Sequence, residues 1–558
     1  VIPAAPSTVP RTRTAGPRKQ VVRTLRDRHR VPLLATLPVL PLYALWWVFL
    51  ATGGGDLAAQ EAWADFVSRH GGSAYNLSWY GGMHTVNYSL LSPYLMAAAG
   101  VRTVTVAAGL AASWLAAVLL VRTGIRRPAG PAVLASLALW CDVASGRTTF
   151  ALGVALGLAA CVLLTGQRRV PLAVAYAALA TMASPVAGLF LVVVGAGHLL
   201  AGDRVRAATL LVPPCAVVGL TTWLFPFTGE QLMPADRVWQ PVLLGLTVTA
   251  LAPRDWRVAR WSGAVYAGGT VLAYLVASPV GTNVERFAEL FAPAVLLAAL
   301  LSAPSLRGTR RRLLVAVLVL SVVWVGRKTA DDLAVSTRVP AWAARTDGVV
   351  RALERLGADR TRVEVVPARD HREATALAPH VNMARGWNRQ LDMERGRLFY
   401  DGSFSPAAYR AWLDRWAVGF VVLPSARPDG YAEEEARLVA SGPGWLEPVW
   451  RDAHWRVYRV RDAVPLVSAP ATVLRTTSAE IDVRMPGPGR VLVRVAHSPW
   501  LRVEGGCLAR HGEFTELTVS GPGEYRISSR YRAAPAPARC APPRAAPPSG
   551  SGGPEADR

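Results

Sequence analysis

The stretch GGGDLAAQEAWADF (residues 53–66) sets three carboxylates, Asp56, Glu61 and Asp65, directly behind an apolar run long enough to cross a bilayer. Two further stretches have the same character. CDVASGRTT (141–149) carries Asp142 and Arg147, and GTNVERFAE (281–289) carries Asn283, Glu285, Arg286 and Glu289. A carboxylate at such a place can take a proton from an attacking hydroxyl. A guanidinium at the start of a helix, where the free N–H groups already favour anions, can hold a phosphate. Asp56 is therefore the candidate base, and Arg286 and Arg147 are the candidate phosphate ligands. The plainer alternatives are that Asp56 caps the helix that follows it, and that Arg286 pairs with Glu285, Glu289 or Asp142.

Leu57, Ala58, Glu61, Ala62, Asp65 and Phe66 recur at helical spacing, which predicts an interfacial helix with Glu61 and Asp65 on its wet face. NLSWYGGMHTVNYSLLSPYLM follows, where Tyr80 and His84 flank a Gly-Gly turn and are candidates for substrate contact beside Asn283. Aromatics here also suit an interface belt. Farther on, ARGWNRQLD (384–392) offers Trp387 to stack on a sugar ring and Arg389 and Gln390 to bond its hydroxyls. The alternative is that this segment docks a domain onto the membrane loops.

The elements that must position these groups follow from the apolar pattern. The chain has 558 residues, 52% hydrophobic and 18% charged, with the apolar residues in long blocks. A helix needs about 20 such residues to span a hydrocarbon core. Spans are expected near 32–52, 104–121, 129–146, 148–166, 170–184, 186–201, 206–226, 239–252, 259–279, 286–304 and 312–327, the eighth being short. No cleavable signal peptide is expected, because the basic tail runs into a full-length span without an A-x-A site.

Between spans, basic loops such as VRTGIRR and PRDWRVAR alternate with acidic or mixed ones such as FTGEQLMPAD. Lys and Arg in short loops stay cytoplasmic. This predicts a multi-pass plasma-membrane protein with its N-terminus inside and everything after residue 328 outside. Much of the net charge of +23 then faces anionic lipid, and nucleic acid is not expected as a partner. The expected span interiors are nearly free of ionisable groups, unlike those of an ion-coupled transporter, which binds near the midplane.

The expected organisation is a basic tail (1–31), a membrane domain (32–328) with a long first outer loop (53–103), and an extracytoplasmic α/β domain (329–462). A small β-sandwich-like module (463–532) and a Pro/Ala/Gly tail too poor in apolar bulk to fold (533–558) complete it. Of five cysteines, Cys141, Cys161 and Cys215 lie in apolar runs, whereas Cys507 and Cys540 could pair outside the cell. No CxxC, HExxH or phosphate-loop pattern occurs.

Asp56 just beyond the first span, the helix after it, and the motifs DLAAQ, WYGGMHTVNYSLLSP, GTNVERFAELFAP and ARGWNRQLDMERGRLFYDGSFSPAAYRAWL together resemble the GT-C superfamily. These are polytopic membrane glycosyltransferases, here an actinobacterial, largely uncharacterised GT-C-like set. The resemblance covers most of residues 32–460. It implies an α-helical polytopic protein of about eleven spans, with a polyprenyl-phosphate-linked sugar as donor and a cell-envelope acceptor. The other readings are a transporter or lipid flippase and a non-catalytic GT-C-like scaffold. No cofactor is called for. A divalent metal is admitted by the resemblance, but many GT-C enzymes carry paired acids in this loop whereas Asp56 is followed by Leu57, and one carboxylate is a poor divalent site.

Overall fold

The computed structural model describes residues 29–166, 169–302 and 308–531. The expected tail 533–558, Cys540 and most of the basic N-terminal tail lie outside these residues. Four helices are long and apolar enough to cross a membrane: His29–Leu50, Val101–Arg122, Arg204–Leu224 and Thr309–Ser336. Shorter apolar helices, Ala129–Ala144, Thr148–Leu163, Val170–Ala183 and Pro185–Leu200, pack among them. Trp239–Leu251, Arg257–Leu275 and Glu285–Ser302 complete the bundle.

Small residues let these helices approach closely, as expected where no hydrophobic drive separates helix from lipid. Ala108, Ala112 and Ala116 are buried along one helix, and a Cβ on Gly153 would stand 2.7 Å from the Ala187 side chain. The opposite faces carry exposed Leu220, Val212 and Trp223, the last 76% exposed.

Two boundaries depart from expectation. The helix that holds the last expected span does not stop near 327. The helix continues to Ser336, carrying Lys328 and Asp332 beyond the apolar stretch. Asp56 is not an N-cap either: Gly55 occupies that position, with φ +64°, and Asp56 is the first residue of the helix Asp56–His70. There its negative charge still favours the helix dipole.

The region beyond the bundle is built as two β units. A four-stranded sheet has the order Arg362–Val365, Val418–Pro424, Trp455–Val460, Leu446–Arg451, with the first pair parallel and the others antiparallel. Val418–Pro424 is buried along its whole length, as its unbroken apolar run requires. Its neighbouring helix Pro406–Arg415 is capped by Ser405, whose hydroxyl accepts from the Ala408 N–H. A four-stranded and a three-stranded antiparallel sheet follow, around a core that includes Val483, Val493, Leu517 and Ile527.

Candidate functional site

The first loop turns back through Gly53, Gly54 and Gly55 and delivers Asp56 to one end of the bundle. The turn after Ala129–Ala144 is pressed against it: a Cβ on Gly146, which has φ +80°, would stand 2.8 Å from the Leu57 nitrogen. Only a glycine allows that approach. Arg147 follows at once, so its guanidinium enters the same space.

There Asp56 Oδ2 lies 3.7 Å from Arg147 Nε and 3.6 Å from Arg286 Nη2. Arg147 is nearly buried and is held on its other sides by Glu289 at 2.8 Å, Asp332 at 3.3 Å and Asp142 at 3.5 Å. Lys328 bridges Glu285 and Glu289. Arg237 reaches Glu285 at 3.7 Å, and the Arg286 guanidinium lies over the Phe150 ring. Gln60, one turn after Asp56, accepts from Thr148 at 3.0 Å and bonds Tyr88, tying the loop helix to the bundle. Buried ions are tolerated only when paired in this way.

A cavity of about 240 Å³ opens onto this network. Arg147, Arg237, Arg286, Lys328 and Arg389 line it, against one acid, Glu285. Asp142 and Glu289 are buried with Arg147, whereas Asp56 and Asp332 remain about a third exposed; among the charged residues that line the cavity itself, cations predominate. Arg389 comes from the α/β domain. Asp429 holds it at 2.8 and 3.2 Å, and it lies over the rings of Trp387 and Tyr431. Arg389 and the Asp429 carboxylate shift each other: Asp429 is held well below the usual carboxylate range, chiefly by Arg389 acting against its burial.

The structure thus brings Asp56, Arg147 and Arg286 together, with Asn283 and Arg389 on the cavity wall. The other sequence candidates sit elsewhere. Tyr80 is buried, and its hydroxyl bonds the Asn388 backbone at 3.0 and 3.1 Å. His84 is buried against Ser498 of the β module at 2.8 Å, and burial pushes its pKa down to about 3. Between them, a Cβ on Gly81 or Gly82 would strike Trp416 or Tyr75, so the turn packs against the protein's own rings.

The Trp387 ring is stacked on His371 at 3.5 Å and faced by Arg389, while its N–H donates to the Gly55 carbonyl. Gln390 donates to the Pro279 carbonyl at 3.2 Å. Both contacts join the α/β domain to the membrane loops. Glu61 is half-buried rather than on a wet face, and burial raises its pKa, whereas Asp65 pairs with Arg69 at the surface.

Lys328, Asp332 and Arg237 also belong to the network and are not among the sequence candidates. The spacing of Lys328 and Asp332, one helical turn apart after an apolar run, was the available signal.

A divalent metal does not fit this donor set. Asp56 faces two guanidiniums, and Glu285 and Glu289 close on Lys328. Among the described residues no group of three or more His, Cys, Asp or Glu could hold a metal ion.

A domain of unknown function, DUF8823, matches residues 468–506, within the β module. No curated protein matches. Among solved structures, the chain is similar to the cryo-EM structure of the arabinofuranosyltransferase AftD from mycobacteria. That match has 15% identity and a TM-score of 0.37, over 80% of this chain and 40% of that one. A mutant of the same protein matches with 11% identity and a TM-score of 0.40, over 92% of this chain and 61% of that one. The chain therefore spans 40% and 61% of the lengths of these two structures.

Proposed function

We propose that this chain is a GT-C-type membrane glycosyltransferase. It moves a sugar from a polyprenyl-phosphate donor to a hydroxyl of an extracytoplasmic cell-envelope acceptor. The observation that carries this reading is the Asp56 carboxylate paired with Arg147 and Arg286, two of the cations that line the cavity.

In this reading the donor phosphate enters the cavity and competes with Asp56 for Arg286 and Arg147. Asp56 then takes the proton of the acceptor hydroxyl as its oxygen attacks the anomeric carbon. The bond from that carbon to the phosphate oxygen breaks, and the phosphate leaves with the electron pair. Arg286, Arg147 and Lys328 stabilise the charge that develops on it. A single displacement inverts the configuration at the anomeric carbon. Asn283 and Arg389 are the candidate contacts to the sugar.

The test is binding of polyprenyl monophosphate to the full chain in detergent, followed by native mass spectrometry against the uncharged polyprenol. Retention of the phosphate form over the alcohol supports the reading; equal retention of both removes it.

A further inference from the structure

We propose that the outer α/β domain positions Asp56 by gripping the peptide in front of it, with Trp387, Arg372 and Asp370 as positioning residues. This rests on the transfer reading above, in which Asp56 is the base. Gly55 is held on both sides. Its N–H donates to the Asp370 carbonyl at 2.7 Å, and the Trp387 indole N–H donates to its carbonyl at 3.0 Å. That carbonyl belongs to the planar unit containing the Asp56 nitrogen, so fixing it fixes the plane from which the Asp56 side chain departs.

Arg372 closes the grip. Its guanidinium donates to the Ser336 carbonyl at 2.6 Å, to the Thr52 hydroxyl at 2.9 Å and to the Thr52 carbonyl. Its Nε–H donates to Asp370 at 3.1 Å. One side chain thereby joins the first loop, the end of the last bundle helix and the outer domain. The space is fully used: a Cβ on Gly54 would lie 2.7 Å from both Arg372 Nη2 and the Ser336 oxygen. His371, between Asp370 and Arg372, adopts φ +53°, uncommon for a residue with a side chain, and stacks on the Trp387 ring with 14° between planes. None of Asp370, His371, Arg372 and Trp387 lines the cavity; Asp370 and Arg372 act on the loop that carries Asp56, while Trp387 touches both that loop and Arg389.

Misplacing a reacting group by about 1 Å can cost roughly 100-fold in rate. Trp387→Phe keeps an aromatic ring beside His371 and Arg389 and removes the donor to Gly55; Gly54→Ala strikes the Arg372 contact from the other side. Each is made in the full chain in lipid and assayed with a polyprenyl-monophosphate-linked sugar. The expected result is a fall in kcat of roughly 10- to 100-fold with no rise in donor KM. Wild-type kcat, or a rise in donor KM alone, overturns the proposal.

A second readout does not need transfer. In an Asp56→Cys background, reaction with a charged thiosulfonate is expected to speed up several-fold when Trp387→Phe is added, and to stay constant with the surface change Asp65→Asn. An unchanged rate with Trp387→Phe overturns the grip. A faster rate in a chain whose wild type transfers no sugar upholds the grip and removes the transfer reading.

Discussion

The Asp56 carboxylate and the Arg286 guanidinium, brought from the first loop and from the start of a late bundle helix, lie 3.6 Å apart. Arg147 stands 3.7 Å away on the same carboxylate oxygen. The two arginines differ in what else holds them. Arg147 is also engaged by Glu289, Asp142 and Asp332, whereas among the described residues Arg286 has Asp56 as its one ion-pair partner. Arg286 is thus the cation more readily turned to an incoming anion.

Arg286→Gln is therefore expected to weaken binding of polyprenyl monophosphate by about 10- to 100-fold, the loss of one charge-assisted hydrogen bond. Arg286→Lys should retain part of the affinity but lose the two-pronged geometry. Titration of the lipid against the purified full chain measures both.

Lys328 sits between two nearly buried acids, and removing it leaves Glu289 with Arg147, which it shares with other acids, and Glu285 with the more distant Arg237. Breaking a buried pair by removing one partner costs about 3–5 kcal/mol. Lys328→Met is expected to lower the Tm in detergent sharply, and Glu285→Gln added to it should recover part of the loss. A Tm unchanged by Lys328→Met would mean that the bridge is not formed in the protein.

Because each carboxylate of the site already faces a cation, transfer should not depend on a divalent ion. Activity is expected to be the same after exhaustive chelation as with added magnesium, manganese or calcium. Loss on chelation, restored by one of these ions, would contradict the pairing described for Asp56.

His84 gives the fold a signed pH dependence. Burial holds its folded pKa near 3, against an ordinary value of 6.5. A depressed value contributes stability that is complete above about pH 6.5 and lost as pH falls toward 3, by up to about 1.4 kcal/mol per pH unit. The Tm of the full chain should drop between pH 7 and pH 5, and His84→Gln should drop less over the same interval while starting lower at pH 7.

The parts of the site legible in the sequence are those governed by the cost of burying charge. Asp56, Arg147 and Arg286 each interrupt an otherwise apolar region, and all three converge. Lys328 and Asp332 escaped because the apolar pattern ends before them, while the helix, carried by packing and ion pairs, runs on to Ser336. Tyr80, His84 and Trp387 show the opposite failure. Aromatics beside glycines in a loop have the composition of a binding surface, but here their partners are Asn388, Ser498, His371 and Gly55. Those partners are remote in the chain, so no local pattern announces them. The same holds for the grip on Gly55, which depends on a domain more than 300 residues further along.

Asp56 is proposed above as the reacting carboxylate of a sugar transferase. The most direct measurement is transfer of radiolabelled sugar from a polyprenyl-monophosphate donor to envelope acceptor in proteoliposomes, comparing wild type with Asp56→Asn. The variant is expected to insert, to bind polyprenyl monophosphate at least as tightly as wild type, and to transfer at least about 100-fold more slowly. Transfer by Asp56→Asn at the wild-type rate would contradict it.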